Sequence, residues 1–429
     1  MRGALLIFMI FCGLTLIFMA PALPHLTTAV IGDGGDNYQF LGFQYLANRL
    51  VSSGHPEMGW TDYWRFPFGI DLDSATDSML FITLGLLLYR FTNDAVLVYN
   101  VSVLMLVFLN LVLSYVAFRT WFSRNLALIG AIIYGLSFYS LAKVGGHVNL
   151  ISTAGFPLFF ASVCNIWRYD GRRRDFAMMA GSAAYLTLAS LQYPLLLAGV
   201  LPFLIVLLFV FERAALAQLL QVFWQKKILL LASMALTIVV VAPFEGRKLM
   251  EFLRGETILP SDQFVVVPPI NLVLPNAYIP TISSAIPNST RSWIEYSIFL
   301  GFAEVVLLGM AVVRLRSNRG AHFLFACAAV LLVLTLGWWP YRYLFRVMPY
   351  RGIIEPGRFF VALYLPITLL ILLLLQRIEK STADSVDRVV GLSRAASKAF
   401  FLESSPSGSG FGHRGSIETD PGHTRPSAI

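Results

Sequence analysis

Near its beginning the chain reads ALLIFMIFCGLTLIFMA at residues 4–20 and GDGGDNYQF at residues 32–40, and these two stretches decide how it folds. The first has no charged side chain. At 1.5 Å per residue, a helix of this length crosses most of the roughly 30 Å hydrocarbon layer of a bilayer. The second stretch places two carboxylates shortly after the end of that helix. A charge at this position is costly unless it is solvated, paired with another charge or required for function.

The composition of the whole chain is that of a membrane protein. Of its 429 residues 57% are hydrophobic and only 13% are charged, with a mean hydropathy of +0.70, which lies outside the range of soluble domains. We therefore predict an all-α fold, a polytopic transmembrane helical bundle of about ten spans. After the first span, the others are expected near residues 95–118, 126–142, 148–167, 176–192, 194–211, 228–243, 293–313, 321–338 and 359–376.

The basic residues indicate how the bundle is oriented. Cytoplasmic loops of membrane proteins carry an excess of Lys and Arg. The basic clusters at residues 168–174, 226–227, 314–319 and 377–380 face one side if both termini are cytoplasmic and the short stretch 79–89 does not cross. This predicts a multi-pass protein of the inner or plasma membrane, with an uncleaved first helix preferred over a cleaved signal peptide. The net charge of +8 does not indicate a nucleic-acid partner, because most of the Lys and Arg residues lie in short loops between apolar spans, where they set the orientation in the bilayer.

The chain is expected to have two parts. Residues 1–378 form the transmembrane domain, and residues 379–429 form a polar cytoplasmic tail that is expected to be disordered. Long loops at about 21–78, 244–292 and 338–358 all lie on the outer side in this topology. Long structured loops between helices often carry function, so we look for a site there.

Asp33 and Asp36 are the first candidate site residues. Glycines beside them permit tight turns, and Asp36 can cap an amphipathic helix expected over residues 37–50. That helix places Tyr38, Leu41, Tyr45 and Leu46 on or near one face. The spacing alone leaves two interpretations open: a solvated turn with a helix cap, or a carboxylate that acts as general base or holds a divalent cation.

Several basic residues could bind a phosphate. Arg351 and Arg358 flank a Pro-Gly turn before the last span, and a guanidinium offers two parallel donors to a phosphate. They could equally anchor a helix end at the lipid headgroups. Arg291 and Lys248, at the ends of the proline-rich loop, are further candidates. His147 follows two glycines at an outward helix junction, where it is either structural or in contact with substrate or phosphate.

Other titratable residues point to less specific roles. Glu304 lies inside the span predicted at 293–313, where it could serve a carrier or form a hydrogen bond within the bundle. The cysteines, Cys12, Cys164 and Cys327, fall inside apolar spans and are typical of small buried hydrophobes. The sequence has no HExxH or comparable ligand set, so no metal site is assigned and no cofactor is required. A divalent metal at the acidic cluster is left open.

The order of these features resembles the GT-C class of polyprenyl-phosphate-sugar-dependent membrane glycosyltransferases, in particular its protein-mannosyltransferase-like members. Asp36-Asn37-Tyr38-Gln39-Phe40 is similar to the Asp-Glu-x-aromatic segment that follows the first helix in that class, with Asn37 in place of the second acid. Further similarity, to uncharacterised bacterial and archaeal members, lies at residues 63–71 (which include Arg65), 137–139, 146–150 and 355–359.

The resemblance implies an inverting hexosyl or pentosyl transfer at the outer face of the membrane. Asp36 first, and Asp33 second, would deprotonate an acceptor hydroxyl, which attacks the anomeric carbon and displaces polyprenyl phosphate. Arg65 joins the candidate phosphate-binding residues on this ground. The implied partners are a polyprenyl-phosphate sugar donor and a glycan, lipid or protein acceptor. Two alternatives remain: a non-enzymatic, flippase-like lipid or polysaccharide carrier with its essential charges at mid-membrane, and a non-catalytic assembly subunit.

Overall fold

The protein is described by a computed structural model covering residues 2–32, 36–55, 60–62, 69–72, 76–254, 267, 269–273, 298–337 and 356–403. Within these ranges it is helical, apart from a pair of two-residue antiparallel strands, β1 (Trp60–Thr61) and β2 (Ile70–Asp71). The chain separates into the units Met1–Gln376 and Arg377–Ile429. The bundle described below belongs to the first unit.

The helices follow the apolar stretches of the sequence. In chain order they are α1 (Arg2–Phe18), α2 (Asp36–Ser52), α3 (Met79–Leu88), α4 (Ala95–Phe118), α5 (Arg124–Gly135), α6 (Phe138–Gly146), α7 (Gly155–Arg168), α8 (Arg173–Ala189), α9 (Gln192–Phe211), α10 (Arg213–Gln225), α11 (Lys227–Arg254), α12 (Phe302–Arg314), α13 (Arg319–Leu336) and α14 (Phe360–Glu403). Short 3₁₀ helices lie at Ala20–His25, Val148–Leu150, Pro269–Leu272 and Pro356–Phe359.

The predicted polytopic helical fold is confirmed. Among the described residues, seven helical segments are long and apolar enough to cross a membrane: Ala95–Phe118, Arg124–Gly146, Val148–Arg168, Gln192–Phe211, Lys227–Lys248, Arg319–Leu336 and Pro356–Thr382. The other three predicted spans coincide with shorter helices, α1 and α8 of 17 residues each and α12 of 13 residues. Helix α3 has ten residues, about 15 Å in length, which is too short to cross.

Polar caps fix where the spans begin. The Asp94 carboxylate accepts hydrogen bonds from the Val96 and Leu97 amides, both at 3.0 Å, at the start of α4. Asn318 accepts one from the Ala321 amide at 3.0 Å at the start of α13. These contacts satisfy amides that have no partner inside the helix.

The last apolar helix lies at the centre of the bundle. In the segment Pro356–Thr382, 78% of the most apolar 18-residue stretch is buried, whereas in Lys227–Lys248 the corresponding share is 11%. Tyr134, Phe156 and Tyr193 are fully buried in the same cluster as the start of α14. Helix α11 therefore presents most of its apolar surface outward, as a lipid-facing helix does.

The bundle has two chemically different ends. At one end Arg124 donates to the Gly3 carbonyl (2.9 Å) and Arg319 to the Phe211 carbonyl (2.8 Å). We call this the basic end; it holds the loops at residues 119–123, 169–172, 212, 226 and 315–318. Because successive spans alternate in direction, the segments 26–32, 76–78, 147–154, 190–191 and 356–359 meet at the opposite end, which we call the site end.

Helix α2 confirms the predicted helix over 37–50, and the face expected to be apolar is buried only in part. Leu46 of that face is buried together with Asn37, Phe40, Phe43, Gln44 and Ala47, whereas Tyr38 and Tyr45 are 58% and 44% exposed. The Gln44 amide donates to the Phe81 carbonyl at 2.8 Å and to the Ser102 hydroxyl at 3.1 Å. Buried polar groups that find partners inside the bundle cost little, so hydropathy alone does not identify all the buried residues of α2.

Two helices continue past their predicted ends. Helix α11 runs through Pro243 to Arg254, so the outer loop expected from residue 244 begins later; proline is tolerated inside membrane helices. Helix α14 runs to Glu403, so residues 379–403 of the tail expected to be disordered are helical. No proline lies between Pro366 and Pro406, which leaves nothing in that stretch to end the helix. Residues 404–429 lie outside the described residues.

Candidate functional site

Buried asparagine side chains hold the irregular segments of the site end. The Asn100 amide donates to the carbonyls of Leu26 (2.9 Å) and Ala29 (2.8 Å), and its oxygen accepts from the Ile31 amide (2.9 Å). Backbone that leaves helical geometry at membrane depth must find such partners, because no water is available to it. The segment that leads to α2 is therefore fixed against α4.

A second clamp holds the segment after His147. The Asn110 oxygen accepts from the Ala154 amide at 3.1 Å, and its amide donates to the Ile151 carbonyl. The Tyr134 hydroxyl lies 3.4 Å from the Thr153 carbonyl and 3.2 Å from the Val361 carbonyl. These contacts join residues 151–154 to the start of α14, and so bring early and late parts of the chain to the site end.

Asn37 has a structural role that an acid could not take. Its side-chain amide is buried and donates to the carbonyls of Ile31 (3.3 Å) and Gly145 (2.9 Å). A carboxylate accepts hydrogen bonds and cannot donate to a carbonyl. Gly32 makes room for this contact: it has φ +117°, and a Cβ there would lie 1.5 Å from the Asn37 nitrogen.

Asp36 and His147 are brought together, although 111 positions separate them in the sequence. Asp36 is the first residue of α2, and His147 follows the last residue of α6. The His147 Nδ1 atom lies 2.9 Å from the Asp36 Oδ2 atom. The Asp36 side chain is 49% exposed and that of His147 19% exposed. An oriented carboxylate that water can reach is what a general base requires.

Asp77 is a second carboxylate of the site end, and sequence reasoning missed it. Its Oδ2 atom accepts hydrogen bonds from Asn149 (2.7 Å), Ser190 (2.9 Å) and Gln192 (3.2 Å), and its Oδ1 atom accepts one from the Leu191 amide (3.1 Å). Four donors converge on one carboxylate, so Asp77 organises its neighbours and is poorly suited to take a proton from a substrate. In the sequence it stands directly before an apolar helix, where an acid is usually a helix cap.

Arg358 is connected to Asp77 through one amide side chain. The Arg358 guanidinium donates to the Gln192 oxygen, and the Gln192 nitrogen donates to Asp77. This chain of contacts fixes the direction of the Gln192 amide. A guanidinium from the last apolar segment and a carboxylate from the first outer segment thus belong to one network.

The segment 147–149 lies between the two carboxylates. His147 contacts Asp36, and Asn149, two residues on, contacts Asp77. The Asn149 side-chain oxygen is buried and has no hydrogen-bond partner in the described part of the chain. The side-chain oxygens of Asn37 and Gln44 are buried without a partner in the same way, so this feature alone does not mark a substrate contact.

Lys248 lies close to this network but its charge is already paired. Its buried ammonium is 2.8 Å from the Glu245 carboxylate and also donates to the Thr76 carbonyl. A lysine that offsets a carboxylate and holds the residue before Asp77 positions the Asp77 loop. This arrangement favours a positioning role over the phosphate contact that the sequence suggests.

The other predicted site residues fall into two groups. Asp33, Arg65, Arg291 and Arg351 lie outside the described residues. Glu304 is not in the middle of a span as expected, but in the first turn of α12, next to Gly301 at φ +94°. The dipole of a helix favours an acid in the first turn, so a structural role suffices. Among the described residues, no three His, Cys, Asp or Glu side chains are grouped as metal ligands would be.

The fold and this network define a class: a multi-pass helical membrane protein with a polar site at one end of the bundle. No family model and no curated protein matches the chain. Among solved structures it is similar to one described as the crystal structure of ArnT from Cupriavidus metallidurans in the apo state. The identity is 13%, the match covers 84% of this chain and 76% of that one, and the TM-score is 0.36. This likeness identifies neither a family nor an activity.

Proposed function

We propose that the protein is a membrane glycosyltransferase of the GT-C type. It would move a sugar from a polyprenyl-phosphate donor to a hydroxyl of an envelope or lipid-linked acceptor. The main support is the Asp36–His147 contact of 2.9 Å at the same end of the bundle as Arg358. Transfer from a lipid phosphate needs a base for the acceptor and a cation for the leaving group, both near the membrane surface.

In the proposed reaction Asp36 is the base. The acceptor oxygen attacks the anomeric carbon and its proton passes to the Asp36 carboxylate. The bond between that carbon and the phosphate oxygen breaks, and its electron pair leaves with the polyprenyl phosphate, so the anomeric configuration inverts. His147 holds one carboxylate oxygen, which orients the other for the acceptor. Positioning of this kind lowers the barrier because the reacting groups need not be ordered later.

Arg358 would stabilise the departing phosphate. The leaving group gains negative charge as the bond breaks, and a guanidinium can donate two parallel hydrogen bonds to it. Gln192 and Asp77 hold the guanidinium in place. In this scheme Asp77 is a positioning residue that acts through Gln192, and it takes no part in bond making or breaking.

The orientation of the protein follows from the two ends. The basic end carries the arginine-rich loops, and such loops are retained in the cytoplasm. The site end would then lie on the outer face of the inner or plasma membrane. A lipid-linked donor could reach it from the bilayer and an acceptor from the aqueous side.

The test compares Asp36→Asn with Asp170→Asn in purified protein in lipid nanodiscs, supplied with hexosyl and pentosyl polyprenyl-phosphate donors. Asp170 lies at the basic end at φ 54°, a conformation that asparagine also tolerates, so this variant controls for the substitution. We expect Asp36→Asn to lower kcat about 100- to 10,000-fold, the usual contribution of a general base. Transfer at the wild-type rate by Asp36→Asn would show that the base is assigned wrongly.

A further inference from the structure

A cavity lies at the basic end, away from the proposed active site. It has a volume of about 440 Å³ and lies between α1 and the neighbouring helices α4 and α5. Pockets of this size hold small-molecule ligands in many proteins. Its lining is Gly3, Ala4, Ile7, Phe8, Phe11, Val112, Tyr115, Arg119 and Arg124.

The lining divides into an apolar wall and a cationic edge. Phe8, Phe11 and Val112 belong to the wall, and Arg119 and Arg124 form the edge at the helix ends. Both arginine residues are exposed. Neither forms an ion pair with a carboxylate in the part of the chain that the structure describes; Arg124 donates to the Gly3 carbonyl and Arg119 to the Phe122 carbonyl.

The surrounding sequence contains no acid that could neutralise these charges. Residues 2–31 and 95–135, which form α1, α4 and α5, contain neither Asp nor Glu. A carbonyl contact orients a guanidinium without removing its charge. The cavity therefore combines two uncompensated positive charges with an apolar surface, and its ligand must be complementary to both.

We propose that this cavity binds an anionic phospholipid of the surrounding bilayer, with the phosphate at Arg119 and Arg124 and an acyl chain against the wall formed by α1 and α4. Arginines at the end of a span lie at headgroup level, where anionic lipids attract them. A free inorganic anion would leave the apolar wall unused, and a neutral lipid would leave the two charges unmatched.

A lipid at this position would hold α1 against the bundle. Much of α1 is exposed, and it contacts α4 through two edge-on ring pairs, Phe8–Phe108 with centroids at 5.4 Å and Phe11–Tyr115 at 5.8 Å. The acyl chain would fill the space beside these rings. Because α1 leads directly to the segment that ends at Asp36, the lipid would also stabilise the approach to the site end.

Native mass spectrometry of the full-length protein tests the proposal, with phosphatidylglycerol as the probe and phosphatidylcholine as the uncharged comparison. The double variant Arg119→Gln/Arg124→Gln should bind phosphatidylglycerol about 30-fold more weakly than wild type, given the contribution of each arginine near an anionic headgroup. The control Arg173→Gln/Arg174→Gln removes the same charge from the same end, where Arg174 already lies 3.7 Å from the Asp175 carboxylate. It should bind phosphatidylglycerol as wild type does.

A third variant tests the apolar wall and does not depend on the arginines. Val112→Trp places a bulky ring in the cavity while keeping both guanidiniums, and it should also weaken the binding of phosphatidylglycerol. The proposal is overturned if either the double variant or Val112→Trp retains wild-type affinity, or if the control loses affinity as strongly as the double variant. Equal binding of phosphatidylcholine, or displacement of the lipid by millimolar inorganic phosphate, would overturn it as well.

Discussion

Replacing Asp77 by asparagine tests the network that connects the early and late parts of the site. The aspartate accepts four hydrogen bonds, three on one oxygen and one on the other. Asparagine has a single oxygen, so at best the three bonds on Oδ2 survive, and its amide then faces the Leu191 amide, donor against donor. The surviving bonds also lose the strengthening that a charged acceptor gives.

The size of the effect can be worked out from these contacts. Loss of one hydrogen bond to a charged acceptor costs about 1.5–3 kcal/mol, and weakening of the others adds to it. We expect the free energy of unfolding of Asp77→Asn to fall by about 3 kcal/mol, measured by denaturant titration in mixed micelles. Asp170→Asn, at the opposite end, serves as the unchanged comparison.

The kinetic effect should differ from that of Asp36→Asn. Asp77 acts through Gln192 on Arg358, which contacts the donor phosphate before and during transfer in our scheme. The part of this interaction that is present before transfer changes KM, and the part that strengthens as the bond breaks changes kcat. Asp77→Asn should therefore raise the KM for the donor as well as lower kcat, whereas Asp36→Asn should lower kcat with little change in the KM for the donor. If Asp77→Asn has the same free energy of unfolding and the same KM for the donor as wild type, the proposed network contributes neither to stability nor to donor binding.

Three further variants test single contacts. Arg358→Gln removes the cation that would stabilise the leaving phosphate and should lower kcat/KM about 100-fold or more in the transfer assay; Arg358→Ala with the same activity as Arg358→Gln would confirm that charge is what matters. Asn37→Asp introduces an acid that cannot donate the two hydrogen bonds of the Asn37 amide, so it should lower the free energy of unfolding by about 2–4 kcal/mol; an unchanged denaturation midpoint would contradict the role given to Asn37. Gly32→Ala places a side chain at φ +117° against the Asn37 amide and should cost about 1–3 kcal/mol, measured in the same titration, with Gly181→Ala, which has open space around it, as the control.

The sequence predicts the helices well where long apolar stretches end at charged or glycine-containing loops. It misses part of the buried face of α2, because Asn37 and Gln44 are polar residues that are buried and whose amides donate to distant carbonyls. The sequence also predicts an end for α14 that is too early. The change from apolar to polar composition near residue 376 marks the edge of a membrane and not the end of the helix, which continues to Glu403.

Single candidate residues of the site can be picked from the sequence, but the contacts among them cannot. Asp36, His147 and Arg358 each stand out because a charged or titratable side chain lies next to a turn at the end of a span. Their partners do not, because the contacts join residues 72–166 positions apart. Asp77 has no local pattern of its own. Its role depends on Asn149, Ser190 and Gln192, which only the folded bundle brings to it.

The most direct measurement of the central claim is the product itself. Purified wild-type protein in nanodiscs would be given a ¹³C-labelled polyprenyl-phosphate sugar and an acceptor, and the anomeric configuration would be read by NMR. We predict a new glycosidic bond of inverted configuration with wild type and none with Asp36→Asn. Movement of labelled lipid between leaflets in proteoliposomes, without formation of any glycosidic bond, would contradict the account and favour a carrier.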